Sequence, residues 1–210
     1  MEAATVNLLH YTPMTVLLKS LEKPYKNDTA DLTLAERVIN VLKHESVAEH
    51  ITLNFEIFGI SRLCLQELVR HRIASLTVES TRYTLNKMLE DVEFASVGTV
   101  EVDKYFNIPN LDKKNLDLTE EFYNDVADVI ELSVSKMVKW KNRDLKQDYL
   151  KSFLLECYKT NLVWTINLRS LKNFLKLRMS NSAHFEIREL AYHIYKMLMN
   201  TYIGKLIEKN

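Results

Sequence analysis

The amino-acid sequence predicts a helix-rich α+β protein with a small sheet, folded as a single domain over residues 1–210. Apolar residues recur at helical spacing in several long stretches. A few shorter stretches have the alternation, or the β-branched and aromatic content, that is typical of strands. Helices and strands do not alternate as repeated βαβ units, and a chain of 210 residues suits one domain.

Strands are predicted in four places. Residues 6–11 favour a short strand, and residues 51–57 alternate between apolar and polar side chains as a half-buried strand does. Residues 162–166 are apolar and β-branched or aromatic, so they fit either a short strand or the buried start of a helix. Residues 76–83 also favour β structure.

Helices are predicted from apolar periodicity and from capping signals. Thr33 and Glu36 form a T-x-x-E capping box, and Asp117, with Glu120 three residues later, opens the longest helix. A loop is expected at residues 98–116. The predicted helices span residues 13–22, 34–42, 61–72, 117–140, 147–159, 168–178 and 183–208.

Composition restricts how this chain could bind an anion. The 28 Lys and Arg residues balance the 28 Asp and Glu residues, so no global field attracts nucleic acid or a membrane. Only three glycines occur, and neither the G-x-G-x-x-G dinucleotide fingerprint nor a P-loop can be written with them. If the protein binds a nucleotide, side chains must hold it.

Cysteine usage and the N-terminus indicate the compartment. Cys64 and Cys157 cannot form a disulfide framework and lack the spacing of metal ligands, so buried free thiols are expected. The N-terminus has no basic segment followed by an apolar core, and no apolar stretch approaches ~18 residues. The expected location is cytoplasmic.

The segment LVRHRIASLTVESTRYT, residues 68–84, concentrates positive charge and hydroxyl groups. Arg70, His71 and Arg72 could simply be a solvated helix end, where cations complement the helix dipole. The serines and threonines that follow, with Arg82 after them, favour a second interpretation. Arginine forks bind phosphate bidentately and hydroxyl groups complete its coordination, so the segment suits a phosphate monoester or a diphosphate.

The segment NLRSLKNFLKLR, residues 167–178, has an apolar stripe at helical spacing whose next position is Arg178. A guanidinium on a core-facing stripe is costly unless it is paired. Either Arg178 forms an internal salt bridge with some Asp or Glu, or it lies at a pocket wall and faces an anionic ligand. Asn173 lies one turn from Arg169 and could line the same cleft.

The segment HESVAEH, residues 44–50, does not form a zinc motif. Ala48 and Ser46 stand where the two helical zinc motifs need histidine, so no metal site is expected. His50 enters the strand whose polar face begins with Thr52. It either contributes to a cleft or is a satisfied structural residue.

The segment RHRIASLTVESTRY, residues 70–83, resembles the signature of the flavin-dependent thymidylate synthases, in which seven residues separate R-H-R from Ser. The longer family pattern, R-H-R-x-x-S-x-N-x-x-S-x-R-Y, is met at every named position except Thr77, where asparagine is usual. The pair Glu49-His50 before a strand and the segment 167–178 also match, in the family's order. The resemblance covers nearly all 210 residues.

The resemblance implies the family's fold and its reaction, the reductive methylation of dUMP to dTMP. Methylenetetrahydrofolate would supply the carbon, and NADPH would supply the hydride through FAD, without a metal. It also implies a homotetramer with active sites at subunit interfaces, and no nucleic-acid or membrane partner.

The resemblance also implies the roles of individual residues. Arg178 would be catalytic, contacting the uracil and favouring ionisation at N3. The substrate dUMP would be held by Glu67, Leu68, Val69, Arg70, Val78, Glu79, Ser80, Thr81, Arg82, Lys151 and Arg178. The cofactor FAD would be held by His50, Thr52, Arg70, His71, Arg72, Val78, Asn167, Leu168, Arg169 and Asn173.

Three positions depart from the family pattern. Thr77 cannot supply an amide, and Val78 replaces a polar residue that is common in the family. Lys151 stands where many relatives have a dUMP-binding arginine, and a lysine supplies charge without a planar fork. No base is placed to activate Ser80, so a role in positioning substrate is preferred over nucleophilic attack.

Two other classes of function compete with the flavoenzyme. A non-catalytic nucleotide- or RNA-binding protein could use residues 70–82, but the zero net charge and the lack of an aromatic stacking stripe disfavour it. A purely structural helical protein with salt-bridged arginines is the third possibility.

Overall fold

The structure is a computed structural model that describes residues 4–25, 29–94, 101–109 and 116–207. Within these ranges the backbone groups into two compact units. Unit 1 contains residues 59–63 and 78–161, and unit 2 contains residues 4–58, 64–77 and 162–207. The expectation of a single domain over the whole chain stays a prediction.

The strands form one four-stranded sheet, most of whose residues belong to unit 2. Its strands are β1 (Thr5–Tyr11), β2 (Thr52–Ser61), β3 (Ala74–Val78) and β4 (Lys159–Asn167), in the order β1-β2-β4-β3. Strands β1 and β2 pair antiparallel, with a register shift between Leu8 and His10. The prediction of a strand at 51–57 is confirmed, and the open alternative at 162–166 resolves as a strand.

The helices outnumber the strands, as the sequence predicts. Helices α1, α2, α3, α8 and α9 lie wholly or largely in unit 2, and α4 to α7 lie in unit 1. Short 3₁₀ turns at Glu45–His50, Lys151–Phe153 and Tyr202–Lys205 connect them. The helices span Met14–Tyr25 (α1), Leu32–Glu36 (α2), Arg62–Leu68 (α3), Thr81–Phe94 (α4), Val102–Tyr105 (α5), Leu116–Lys141 (α6), Gln147–Leu150 (α7), Leu168–Arg178 (α8) and Phe185–Leu198 (α9).

Each unit has its own apolar core. In unit 2 the Trp164 ring of β4 lies between Phe55 of β2, at 5.9 Å between centroids, and Phe174 of α8, at 5.1 Å. In unit 1 the inner faces of α4 and α6 pack together, and Phe106 meets Tyr158 edge to face at 5.5 Å. The aromatic contacts of unit 2 fix α8 against the sheet, which matters for the site described below.

The predicted capping box at Thr33 is wrong. Helix α2 begins at Leu32, and its cap is Asp31, whose Oδ1 accepts a hydrogen bond from the Leu34 amide at 2.8 Å. Asp31 has the extended backbone that an N-cap needs. After Glu36 the chain continues as a π-helical turn over Arg37–Val41.

Two predicted boundaries around residues 70–83 are also wrong. Helix α3 ends at Leu68 rather than near residue 72, because the His71 amide bonds the Leu68 carbonyl at 3.1 Å and Ile73 has φ of 62°. Residues 81–83 open α4 instead of extending a strand. The apolar spacing of Leu85, Met88 and Leu89, all buried, was the helical signal.

Three other predicted segments are shorter or less regular than expected. The helix expected at 147–159 is α7 plus one 3₁₀ turn, because Tyr158 already bridges to Phe106 as extended chain. The helix expected at 183–208 ends at Leu198, and Thr201 caps a separate 3₁₀ turn through the Ile203 amide. The loop expected at 98–116 contains α5, and its remaining parts at 98–100 and 110–115 lie outside the described residues.

Within the described ranges, every helix is too short or too polar to cross a lipid bilayer. The 26-residue α6 is long enough but carries many charged side chains.

The cap of α2 gives a direct test of the local structure. Replacing Asp31 with Ala should lower the free energy of unfolding by ~1 kcal/mol, because the Leu34 amide loses its acceptor. The matched control is Thr33→Ala, which should change the free energy of unfolding by less than ~0.5 kcal/mol. Urea unfolding measures both, and a greater loss for the Thr33 variant would reinstate the capping box.

Candidate active site

Helix α8 carries the largest group of predicted site residues. Asn167 caps it, with Oδ1 accepting a hydrogen bond from the Ser170 amide at 2.9 Å. Leu168, Leu171, Phe174 and Leu175 are buried and anchor the helix in the core of unit 2. The opposite face therefore presents other side chains to solvent, among them Arg169, Asn173 and Leu177.

Arg178 lies at the last position of α8 and is held by three hydrogen bonds. Its Nη1 donates to Glu67 Oε2 at 2.6 Å, and its Nη2 donates to the Glu67 carbonyl at 3.3 Å. Its Nε donates to His71 Nε2 at 2.7 Å. Its side chain is 17% exposed and that of Glu67 is 26% exposed, so the ion pair is largely shielded from water.

Of the two interpretations of Arg178 raised by the sequence, the internal salt bridge is confirmed. Arg178 also lines a cavity, and its facing an anionic ligand there stays a prediction. A guanidinium that is removed from water without a partner destabilises the folded protein, so a buried Arg178 needs an ion pair such as the one with Glu67.

His71 is buried, with 8% of its surface exposed. Its ring meets Phe174 edge to face at 5.0 Å. Burial, followed by the positive charge of Arg178, lowers the pKa of His71 to about 4. The ring is therefore neutral at pH 7, and because Nε2 accepts from Arg178 its proton lies on Nδ1.

The turn after α3 carries the remaining residues of the R-H-R motif. Arg70 and Arg72 are exposed, and Arg70 Nη1 lies 3.4 Å from Glu67 Oε1. Ile73 adopts φ of 62° with its side chain 77% exposed, an unusual backbone for a β-branched residue. This turn brings both arginines to the same cavity as α8.

The cavity is in unit 2 and has a volume of about 1020 Å³. Four arginines and two glutamates line it, so with His71 neutral its charge is positive. Amide groups, two serine hydroxyls and three apolar side chains complete the wall. The lining consists of Glu45, Glu49, Arg70, His71, Arg72, Ile73, Asn167, Arg169, Ser170, Asn173, Leu177, Arg178, Ser182 and Ala183.

The two carboxylates of the cavity were missed by sequence reasoning. Glu49 Oε1 lies 2.5 Å from Arg169 Nη1, and Glu45 Oε2 lies 3.7 Å from Arg169 Nε. The available signal was their place in the 44–50 segment, from which only His50 is predicted as a site residue. These carboxylates offset the charge of Arg169, leaving Arg70 and Arg72 as the exposed cations of the cavity.

Some predicted cofactor and substrate residues of unit 2 do not line this cavity. His50 is exposed at the end of the 3₁₀ turn, and Thr52 is bonded through its backbone to Thr12. Leu68 and Leu168 are fully buried, so a ligand could reach only their backbone. Val69 is exposed beside the R-H-R motif. The ligand-binding roles assigned to these five residues stay predictions.

The remaining predicted substrate residues lie in unit 1, around the start of α4. Glu79 accepts from the Asn161 side-chain amide at 2.8 Å and from its backbone amide at 3.1 Å, which ties Val78 and Glu79 to β4. Ser80 and Thr81 lie at the N-terminus of α4, where the Ser80 carbonyl accepts from the Thr84 amide.

Arg82 and Lys151 converge on one carboxylate of unit 1. Asp148 Oδ1 lies 2.8 Å from Lys151 Nζ and 3.3 Å from Arg82 Nε. The hydrogen bond from Lys151, followed by the charge of Arg82, lowers the pKa of Asp148. Sequence reasoning selected the two cations separately and did not find the acidic residue between them.

Metal ligation has no candidate in the part of the chain that the structure describes, where no three His, Cys, Asp or Glu side chains come together. Neither cysteine forms a disulfide, and Cys64 is buried as expected whereas Cys157 is only half-buried. Burial raises the pKa of the Cys64 thiol far above its ordinary value, so this cysteine is unreactive.

Comparison with known proteins adds an independent finding. A family model described as thymidylate synthase complementing protein matches residues 5–202. The flavin-dependent thymidylate synthase of Wolinella succinogenes is 39% identical over 201 residues, which cover 92% of this chain and 93% of that protein. A Helicobacter pylori protein of the same name is also 39% identical, over 90% of each chain.

A solved structure shares the fold. The crystal structure of thymidylate synthase X from Helicobacter pylori with FAD and dUMP superposes with a TM-score of 0.79 at 31% identity. The match covers 98% of this chain and 97% of that chain. The binding-protein and purely structural interpretations are not favoured by these matches. The chain belongs to the family of flavin-dependent thymidylate synthases.

Proposed function

We propose that this protein catalyses the reductive methylation of dUMP to dTMP, with FAD as cofactor and with methylenetetrahydrofolate and NADPH as co-substrates. The observation that carries the proposal is the positive cavity of unit 2, on whose wall Arg178 is fixed and largely shielded from water. The chain's family membership supplies the reaction class.

The residues of the cavity fit a flavin dinucleotide. A volume of about 1020 Å³ is at the upper end of the range for ligand pockets, as a cofactor of this size needs. Arg70 and Arg72 suit a diphosphate, and the Asn173 amide with Leu177 suits the edge and face of a ring. When bound, FAD would supply the redox chemistry between NADPH and the transferred carbon.

The role proposed for Arg178 is electrostatic. A preorganised cation beside a developing anion lowers the free energy of that anion, most strongly where water is excluded. We propose that Arg178 favours loss of the N3 proton of uracil in this way. Glu67 offsets the cost of burying the guanidinium. Three of the five N–H groups of the Arg178 guanidinium donate to Glu67 and His71, and the other two are available to a ligand.

The remaining assignments are proposals that follow the family resemblance. The residues proposed to bind dUMP are Glu67, Leu68, Val69, Arg70, Val78, Glu79, Ser80, Thr81, Arg82, Lys151 and Arg178. Those proposed to bind FAD are His50, Thr52, Arg70, His71, Arg72, Val78, Asn167, Leu168, Arg169 and Asn173. A homotetramer with active sites at subunit interfaces, the absence of a metal requirement and a cytoplasmic location are proposed with them.

Arg82, Lys151 and Asp148 support one part of this proposal. Two cations that converge on a single carboxylate form a site that a phosphate monoester could enter in place of that carboxylate. We propose that the dUMP phosphate binds to Arg82 and Lys151 and displaces Asp148 from them.

The function is tested first with purified protein. Reconstitution with FAD should give a yellow protein whose flavin absorbance bleaches with NADPH, and dUMP with methylenetetrahydrofolate should give dTMP. Arg178→Ala should lower dTMP formation at least ~100-fold, because a preorganised charge at a developing anion is typically worth ~2.7–4 kcal/mol.

The matched control for that variant is Arg143→Ala. Arg143 lies outside the cavity, 5.3 Å from the Trp140 ring, and its loss should leave turnover near normal. Near-normal turnover of Arg178→Ala would remove Arg178 from the mechanism. A protein that takes up no FAD would contradict the proposed function itself.

Two variants with opposite expected effects on dUMP binding test the phosphate site. Arg82→Ala should weaken dUMP binding by about 10- to 100-fold, as the loss of a hydrogen bond to a charged group typically costs ~1.5–3 kcal/mol. Asp148→Asn should instead tighten dUMP binding up to about fivefold, since an exposed ion pair contributes ~0.2–1 kcal/mol. Calorimetric titration measures both, with the exposed Lys136→Ala on α6 as control. Unchanged affinity in Arg82→Ala would place the phosphate elsewhere.

A further inference from the structure

His71 differs in burial from the two arginines beside it in the R-H-R motif. Arg70 and Arg72 are exposed, whereas His71 is buried and its ring Nε2 accepts a hydrogen bond from Arg178 Nε at 2.7 Å. A side chain in that position is well placed to act on Arg178.

We propose that His71 is a positioning residue for Arg178: its buried neutral ring holds the guanidinium Nε and so sets the direction of the two N–H groups that face the substrate. This inference rests on the proposed function. It goes beyond the family resemblance, which places His71 only among the residues that hold FAD.

Three contacts together orient the Arg178 guanidinium. Glu67 alone contacts only the two Nη atoms, so the guanidinium could still tilt about the line that joins them. The His71 contact at Nε supplies the third point, and three points define the plane of the group. Orientation within about 10–20° is what a catalytic constellation generally needs.

The His71 ring that supplies this contact is held in place by aromatic packing. His71 packs edge to face on Phe174 at 5.0 Å, and Phe174 packs on Trp164 at 5.1 Å. Trp164 in turn packs on Phe55 of β2 at 5.9 Å. The acceptor atom is therefore held by a continuous row of aromatic contacts that begins in the sheet.

The contact between His71 and Arg178 requires the neutral form of the imidazole ring. An imidazolium has two donors and no acceptor, so only neutral His71 can receive the Arg178 N–H. Burial and the adjacent Arg178 charge keep the ring neutral at pH 7. The bond is thus available throughout the neutral pH range.

Two substitutions separate positioning from packing. His71→Phe keeps the ring contact with Phe174 and removes the acceptor, while His71→Gln places an amide oxygen where it can accept from Arg178 Nε. His193→Phe is the matched control, since His193 is half-buried on α9 and does not line the cavity. Should His71→Phe fail to fold, His71→Leu replaces it.

The activity test compares dTMP formation in these variants. His71→Phe should lower kcat measured at saturating FAD at least tenfold, and His71→Gln should recover most of that loss. In an Arg178→Ala background, His71→Phe should add nothing further, because residues that act as a unit are not additive. Multiplicative losses, or an equal loss of kcat in both His71 variants, would overturn the proposal.

A second readout does not depend on the reaction. The ¹⁵N-edited NMR signal of Arg178 Nε–H, assigned by its loss in Arg178→Ala, should exchange slowly with water in the wild type. Exchange should accelerate at least tenfold in His71→Phe and slow again in His71→Gln. Equal exchange in wild type and His71→Phe would refute the contact even if dTMP is made. Slow exchange in a wild type that makes no dTMP would refute the proposed function and leave the contact standing.

Discussion

The ion pair between Arg178 and Glu67 is the constraint on which the rest of the site depends. It places a guanidinium at the end of an apolar stripe, where an unpaired charge would be destabilising by several kcal/mol. The bonds at 2.6 Å and 3.3 Å join the last turn of α8 to the last turn of α3. Because both helix ends are fixed in this way, the arginines of the R-H-R turn and the exposed face of α8 form walls of one cavity.

The scarcity of glycine has a structural counterpart in that cavity. Nucleotide folds with glycine loops bring backbone amides to the phosphates. Here the wall is made of side chains, and the described glycines do not line it. The turn that would elsewhere use glycine is made with Ile73 in the left-handed region, a conformation that costs roughly 1–3 kcal/mol for such a residue. The apolar side chain that this turn exposes becomes part of the cavity wall.

Local patterns predicted much of the fold. The bounds of α8 and α6, and the strands β1 and β2, follow from apolar periodicity and capping, which are properties of neighbouring residues. Asp31, rather than Thr33, caps α2 because the backbone turns two residues earlier than the motif suggests. Helix α4 was missed because β-branched residues precede its apolar stripe, and tertiary packing against α6 outweighs their preference.

The partners of the site residues could not be found in the same way. The sequence raised an acidic partner for Arg178 as one of two alternatives, but Glu67 is 111 positions away, and Glu49 is 120 positions from Arg169. Nothing local marks either pair. The same holds for Asp148, which becomes meaningful only once Arg82 and Lys151 are seen on either side of it. The cations were predictable as candidates, and the carboxylates that hold and balance them were not.

The central claim is that Arg178, fixed by Glu67 and His71, stabilises a negative charge on the uracil of bound dUMP. The most direct test is a pH titration of dUMP labelled with ¹⁵N at N3 and bound to the FAD-loaded protein, followed by NMR. The account predicts that the N3 pKa is lower in the complex than in free dUMP. An N3 pKa that is unchanged or raised on binding would contradict it.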